Sequence, residues 1–409
     1  MYFRRGTKLG SLMRSSGDRP LPDRVVLESP FPPEEFAARL AAVQADLAAR
    51  SLDAGLLADP EAIFWLSGYR SMGYFTFQAL LVLPAGPPVL ISRVVNRALG
   101  LATPTLAGFR AIGDSDDPVD VLVDELRRRL PEGGALGVET EQRALSAAAV
   151  RALERRAPFR IEDWNGVTEP FRRRKTPLQL DYMRRAARAA CKGLEAAVAA
   201  VRPGASENDV AADMLAATTR AGSDFFRVPL VVTGPATALC FTTWERRTIM
   251  AGDVVLLETA AAVNRYHAMI GRTAIAGRAT PEHRRVADAL LRMLDAGIEA
   301  LRPGRSSGEV HAAGQRALEA SGFAGKVPQR LAYAVGIGFP PNWAEGHFLA
   351  LRAGDPTVIE PGMTFHMIPS MFLEGFGMWF SETVAVTETG CEVLTDFPRR
   401  LIEIETPGA

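Results

Sequence analysis

Cysteine and histidine are both scarce in this sequence. Cys191, Cys240 and Cys391 are the three cysteines of a 409-residue chain. Their wide spacing excludes a disulfide framework and a cysteine-built metal site, and it suits a reducing cytoplasm. Charge of one sign is missing as well: 47 Lys and Arg balance 47 Asp and Glu, for a formal net charge of zero. That balance argues against nucleic acid or an anionic membrane as partner. No apolar run is long enough to span a bilayer. Residues 1–22 hold Arg4, Arg5, Lys8, Arg14 and Arg19 but no apolar core. No secretory signal is expected there, and a basic arm over residues 1–30 is.

What is present is an ordinary globular composition, 47% hydrophobic and 23% charged, in a chain long enough for two domains. Residues 31–168 alternate helix and strand signals. An amphipathic helix opens at Pro32-Pro33 and ends near Ser51. A strand follows at residues 54–58, a short helix after Asp59-Pro60, and a hairpin around Pro84-Ala85-Gly86-Pro87. Helices at 118–130 and 145–156 alternate with strands at 135–139 and 159–163. This predicts an α/β domain. Within it, residues 67–78 gather Tyr69, Tyr74, Phe75 and Phe77 with two glycines, Gly68 and Gly73, and Gln78 at the end. Two readings stand open: a loop covering a ligand, or ordinary packing beneath a loop.

From residue 169 to 409 the pattern changes. Thr176-Pro177-Leu178-Gln179 has capping-box spacing ahead of a helix over residues 177–200. Arg202-Pro203-Gly204-Ala205-Ser206 then leads into a helix ending at Ala221-Gly222. One hundred residues later, Arg302-Pro303-Gly304-Arg305-Ser306 leads into a helix ending at Ser321-Gly322. Each copy follows a long helix and precedes strand-like runs, so the region reads as an internal repeat with a site between its halves.

Inside the first half, Val254 to Leu257 reads as a buried strand, and Glu258 stands where the run ends. A carboxylate there is costly unless paired, hydrogen-bonded or used. Arg265-Tyr266-His267 returns a cation, a phenol and an imidazole within one hairpin. The residues alone allow either a catalytic cluster or a Glu–Arg pair that steadies the hairpin. All five histidines lie between residues 267 and 366, and three of them, His267, His347 and His366, fall in its motif-dense stretches, alongside Trp343, Glu345 and Glu382.

The repeat, together with Gly362-Met363-Thr364-Phe365 and Val384-Ala385-Val386-Thr387-Glu388-Thr389-Gly390, resembles the pita-bread family of methionine aminopeptidase, aminopeptidase P, prolidase and creatinase. The resemblance implies an α/β creatinase-like N-terminal domain. It also implies an α+β pita-bread C-terminal domain with an internal pseudo-two-fold repeat. In the peptidases of that family two aspartates, a histidine and two glutamates hold two metal ions. The matching positions here are Glu258, Met269, Val335, Ile368 and Ser381, of which only Glu258 is a conventional ligand. No metal and no cofactor is therefore expected, and an Xaa-Pro metallopeptidase is disfavoured.

Further segments resemble the metal-free branch, and ectoine hydrolases within it: Ser92-Arg93-Val94-Val95-Asn96-Arg97, Pro340-Pro341-Asn342-Trp343, Phe365-His366 and Ser381-Glu382-Thr383. This implies a cytoplasmic homodimer that hydrolyses a C–N bond of a small polar cyclic amidine or amide. Glu258 is expected as nucleophile or base, His267, His347 and His366 as proton carriers and orienters, and Glu382 as the group holding one imidazole or the substrate cation. Tyr69, Phe75, Phe77, Gln78, Phe241, Trp244, Tyr266, Trp343 and Glu345 are expected around the substrate, with residues 68–78 reaching a neighbouring subunit's site. One position departs from the family. The histidine expected six residues before Arg247 is Phe241, which cannot carry a proton; Cys240 beside it is a thiol alternative. A relative diverted to another small molecule, such as a cyclase, and a catalytically silent binding protein are the competing readings.

Overall fold

The structure, a computed structural model, describes residues 27–141 and 144–405. The basic arm expected over residues 1–30 falls almost wholly outside them. The chain divides into two units, Met1–Val167 and Thr168–Ala409.

The first unit holds α1 (Pro33–Ala49), β1 (Ala54–Leu57), α2 (Pro60–Ser67), β2 (Gln78–Val82), β3 (Val89–Arg93), α3 (Arg97–Leu101), β4 (Gly108–Ile112), α4 (Pro118–Arg127), β5 (Ala135–Val138), α5 (Ala147–Arg156) and β6 (Arg160–Asp163). Its mixed sheet runs β4-β3-β2-β1-β5-β6. The central strands are continuous apolar runs because both faces are covered. Strand β4 and the short α3 escape the sequence pattern. The edge strand β4 is half-buried along most of its length, so it shows neither a clean alternation nor an apolar run.

The second unit holds α6 (Glu169–Arg172), α7 (Pro177–Ala200), α8 (Glu207–Arg220), β7 (Leu230–Thr233), β8 (Val254–Val263), β9 (Tyr266–Ile275), α9 (Pro281–Ala300) and α10 (Ser307–Ala320). It continues with β10 (Ala332–Ala334), β11 (Ala350–Leu351), β12 (Thr364–Met367), β13 (Ser370–Phe372), β14 (Gly377–Trp379), β15 (Glu382–Val386), β16 (Cys391–Val393) and β17 (Ile402–Glu403). One sheet runs β17-β9-β8-β7, the other β11-β10-β12-β15-β16, with β13-β14 as a separate hairpin.

The repeat read from the sequence is physical. Thr176 and Thr280 each cap a long helix through a capping box, and Ser206 and Ser306 do the same for the 14-residue helices α8 and α10. The turns between them match as well. Gly204 (φ 87°) and Gly304 (φ 82°) adopt the left-handed conformation. Their amides donate to Ile249 O and Ile359 O at 2.8 and 3.0 Å. Glycine is needed there because a side chain disfavours positive φ. Each half thus hangs two helices on one sheet. The halves meet where Thr383 Oγ1 of β15 accepts from the Met269 amide and donates to the Met269 carbonyl of β9, both at 2.8 Å.

Candidate active site

Register decides which side chains share a face. Directly opposed residues of an antiparallel ladder point to the same side of the sheet. Glu258 of β8 opposes Gly271, and Ala262 opposes His267. Glu258, Met269, Gly271 and His267 therefore line one face. Leu257 opposes Arg272 and Val263 opposes Tyr266 on the other face, where the Tyr266 ring packs 6.1 Å from Tyr182 of α7. The face of Glu258 is the inner one. A Cβ on Gly271 would sit 2.9 Å from the Trp379 ring and 3.0 Å from Ser381 Oγ, so only glycine leaves room between the sheets beside Glu258.

Glu258 is 3% exposed. Among the described residues its Oε1 has no hydrogen-bond partner, and neither has the buried Ser381 Oγ or His366 Nε2. Burial raises the Glu258 carboxyl to about 7, and only the Arg227 guanidinium opposes the rise. His366 enters from β12, which pairs with β10 so that His366 opposes Tyr333. His366 Nε2 lies 3.7 Å from Glu258 Oε1, and its Nδ1 lies 2.8 Å from the Tyr333 hydroxyl. Tyr333 accepts in turn from Trp343 Nε1 at 3.2 Å. An indole N–H only donates. Among the described residues the hydroxyl has no further partner, so the phenol accepts from Trp343 and its own proton goes to His366 Nδ1, which leaves Nε2–H aimed at the carboxylate. Burial lowers His366 to about 3, so at neutral pH it is an uncharged donor and no base. Tyr333 is held well above the usual phenol range, by burial first and by the Glu258 charge second.

His267 shares the inner face but stands four residues along the ladder from Glu258, roughly 13 Å away at strand spacing. Its Nδ1 donates to Arg265 O at 2.9 Å, which leaves the buried Nε2 as a bare acceptor. Its ring packs against Gly338, next to the Trp343 backbone. Burial lowers it to about 4.

Several expected residues are placed elsewhere. Glu382 opposes Met367, whose methyl packs on Gly297 of α9, so it points away from His366 to the helix-covered face. There its carboxylate accepts from Arg272 at 2.6 Å, from Arg399 at 3.1 Å and from Thr395. It is a buried structural charge and supports no imidazole. Glu345 is likewise consumed: Arg172 lies at 2.9 Å and Lys175 at 2.7 Å. Burial would raise its pKa, yet the two cations hold it below the carboxylate range. Tyr266 packs on α7 rather than facing substrate. His347 is half-exposed, 3.7 Å from Glu169, and stacks edge-on against Phe348.

Phe241 is 81% exposed at a φ of 62°, so its ring faces solvent rather than walling a pocket. Trp244 is half-buried in the same loop. Cys240 lies close enough to feel the Glu258 charge, but burial first and that charge next raise its thiol, which disfavours the reactive thiolate. In the first unit, Tyr69 and Gln78 are buried, Phe77 packs on that unit's core and Phe75 is 82% exposed. Tyr333 and Arg227 were missed by the sequence reading. Tyr333 sits in the short strand Ala332–Ala334, ten residues before Trp343. Only pairing with His366 reveals it. Arg227 is a lone cation between Phe225-Phe226 and Val228-Pro229, a signal too weak to single out.

The sequence profile of metallopeptidase family M24 matches residues 181–388. The chain belongs to that family. The creatinase/prolidase N-terminal domain matches residues 39–173, which completes a creatinase-type pita-bread architecture. The chain is 30% identical over 395 residues to an ectoine hydrolase of Halomonas elongata, covering 91% of this chain and 98% of that protein. It is 27% identical to a probable dipeptidase PepE of Mycobacterium tuberculosis, covering 91% and 98%. A prolidase from Thermococcus sibiricus superposes with a TM-score of 0.81 at 19% identity over 90% of this chain and 99% of its own, a likeness of fold. These M24 relatives are hydrolases.

The family name implies a metal centre, and the donors here do not fit one. Met269 and Ser381 flank Glu258 with a thioether and a hydroxyl, and Val335 and Ile368 are alkyl. Among the described residues no three His, Cys, Asp or Glu side chains gather to hold an ion. A dinuclear hydrolase needs several such donors in one shell. Nor is any helix among the described residues long and apolar enough to cross a membrane.

Proposed function

We propose that this M24 protein hydrolyses a C–N bond of a small cyclic amidine related to ectoine, with Glu258 as its acid–base group and no metal ion. The observation that carries this reading is the buried carboxylate, free of hydrogen bonds among the described residues and raised to about 7. A group poised there serves as a base and then as an acid at neutral pH. An amidinium carbon is already electrophilic, so a neighbouring carboxylate needs no Lewis acid to make it reactive. The amidinium also returns to Glu258 the opposite charge that burial denies it.

Glu258 accepts a proton from water as the water oxygen bonds to the amidinium carbon. The tetrahedral adduct then collapses: Glu258 returns its proton to the departing nitrogen, the C–N bond breaks as the adduct hydroxyl becomes the amide carbonyl, and the hydroxyl proton completes the ammonium of the departing group. Ring-opened product carries one amide and one ammonium group, so charge and atoms balance. His366, held neutral with Nε2–H toward Glu258, orients the carboxylate through the Trp343–Tyr333 chain.

The test is incubation with ectoine in metal-free buffer, with mass spectrometry of the product and metal analysis of the protein. Ring opening with no stoichiometric metal supports the reading. Two ions per chain, or activity that vanishes with a chelator and returns with a metal, overturns it. The expected homodimer is part of the same proposal, and light scattering on the purified protein decides it.

A further inference from the structure

Arg227 lies in the connection between α8 and β7, three residues ahead of Leu230, which pairs directly with Glu258. Its guanidinium lies 4.4 Å from the centre of the Trp343 ring. The indole thus covers one face, and its N–H reaches Tyr333 in the hydrogen-bonded chain to His366. Stacking on an aromatic fixes a guanidinium without using its N–H donors. Those donors are unspent: among the described residues Arg227 makes no hydrogen bond and no ion pair. Its charge nevertheless reaches both Glu258 and Tyr333. The other cations of this region differ. Arg172 and Lys175 are tied to Glu345, and Arg272 and Arg399 to Glu382.

The site therefore presents one buried carboxylate and, near it, one half-buried guanidinium, each without a hydrogen-bond partner among the described residues. They do not neutralise each other through a direct contact. A ligand with a cationic and an anionic group matches both, and satisfying the two together removes two desolvation penalties at once.

We infer that Arg227, stacked on Trp343, anchors the carboxylate of a zwitterionic substrate whose amidinium faces Glu258. This deepens the proposed ring opening and rests on it. The substrate class narrows to cyclic amidines bearing a carboxylate, and Arg227 becomes a binding and specificity residue.

Two probes separate the possibilities: ectoine, and 2-methyl-1,4,5,6-tetrahydropyrimidine, the same ring without the carboxylate. Wild type is expected to open ectoine with a kcat/KM about 10- to 100-fold above the bare ring. In Arg227→Met that ratio falls toward one, mainly through a higher KM for ectoine, and Arg227→Lys recovers part of it. Thermal melts check that the variants fold, and the wild-type ratio stands even where one does not. Equal kcat/KM for both probes in wild type, or an unchanged preference in folded Arg227→Met, overturns the role of Arg227 while leaving the ring-opening reading intact. A wild type that opens neither probe overturns that reading and this inference with it.

Discussion

His366 Nε2 faces Glu258 Oε1 at 3.7 Å across the seam between the two sheets. The gap is longer than a hydrogen bond, and it joins one residue from each half of the pseudo-symmetric unit. A neutral imidazole donor and a carboxylate raised to about 7 form a pair in which the carboxylate carries the proton traffic. Glu258→Gln keeps the shape and removes the base. Turnover on the proposed amidine substrate is expected to fall by about 10²- to 10⁴-fold. Full activity in a folded Glu258→Gln protein would exclude the carboxylate mechanism.

The same substitution has a signature in stability. The folded protein holds the Glu258 proton up to about pH 7, while the unfolded chain releases it near the ordinary carboxylate value of 4.5. Stability from this group is complete below pH 4.5 and is lost as the pH rises through 7. Glu258→Gln is then expected to be more stable than wild type above pH 7, by up to about 3 kcal/mol, with no gain at pH 4. Denaturant unfolding at the two pH values measures the difference.

Histidine supplies the opposite limb. His366 and His267 are lowered by burial to about 3 and about 4. Folding keeps them neutral, so their contribution is present above pH 6.5 and disappears as the pH falls toward those values. His366→Gln should shift the acid unfolding midpoint to lower pH. An unmoved midpoint would mean that His366 is already charged in the native state.

Tyr333→Phe deletes the hydroxyl that links Trp343 to His366 and leaves two buried nitrogens unpaired. Each stranded group costs about 1–3 kcal/mol, so melting falls measurably. If the chain orients His366, kcat drops by about tenfold or more and KM changes less. A loss of stability with kcat intact would assign Tyr333 to packing alone.

Glu382 is expected to behave as a structural charge. Glu382→Ala leaves Arg272 buried without its carboxylate, a loss of about 3–5 kcal/mol by analogy with broken buried pairs. The pH profile of whatever folded protein remains should match wild type. A displaced profile would return Glu382 to the catalytic set.

Local chemistry made much of the fold legible before any coordinates. Thr176-Pro177-Leu178-Gln179, the two Arg-Pro-Gly turns and the Val254–Leu257 run report backbone needs met within a few residues. Capping, positive φ and burial are written locally. Glu258 was legible for the same reason, as a carboxylate ending an apolar strand. The faces were not. Whether Tyr266 or His267 looks inward depends on hairpin register, and whether Glu382 meets His366 depends on the parity of β15 against β12, two strands 15 residues apart in sequence. Glu345 reads as a substrate contact in the sequence because its partners Arg172 and Lys175 lie about 170 positions away. Sequence alone determined the long helices, the main apolar strands, the repeat and the presence of one costly carboxylate. Only the tertiary structure decided that His366, Tyr333, Trp343 and Arg227 surround it. Long-range pairing sets which side of a strand each side chain takes, and that side decides what it touches.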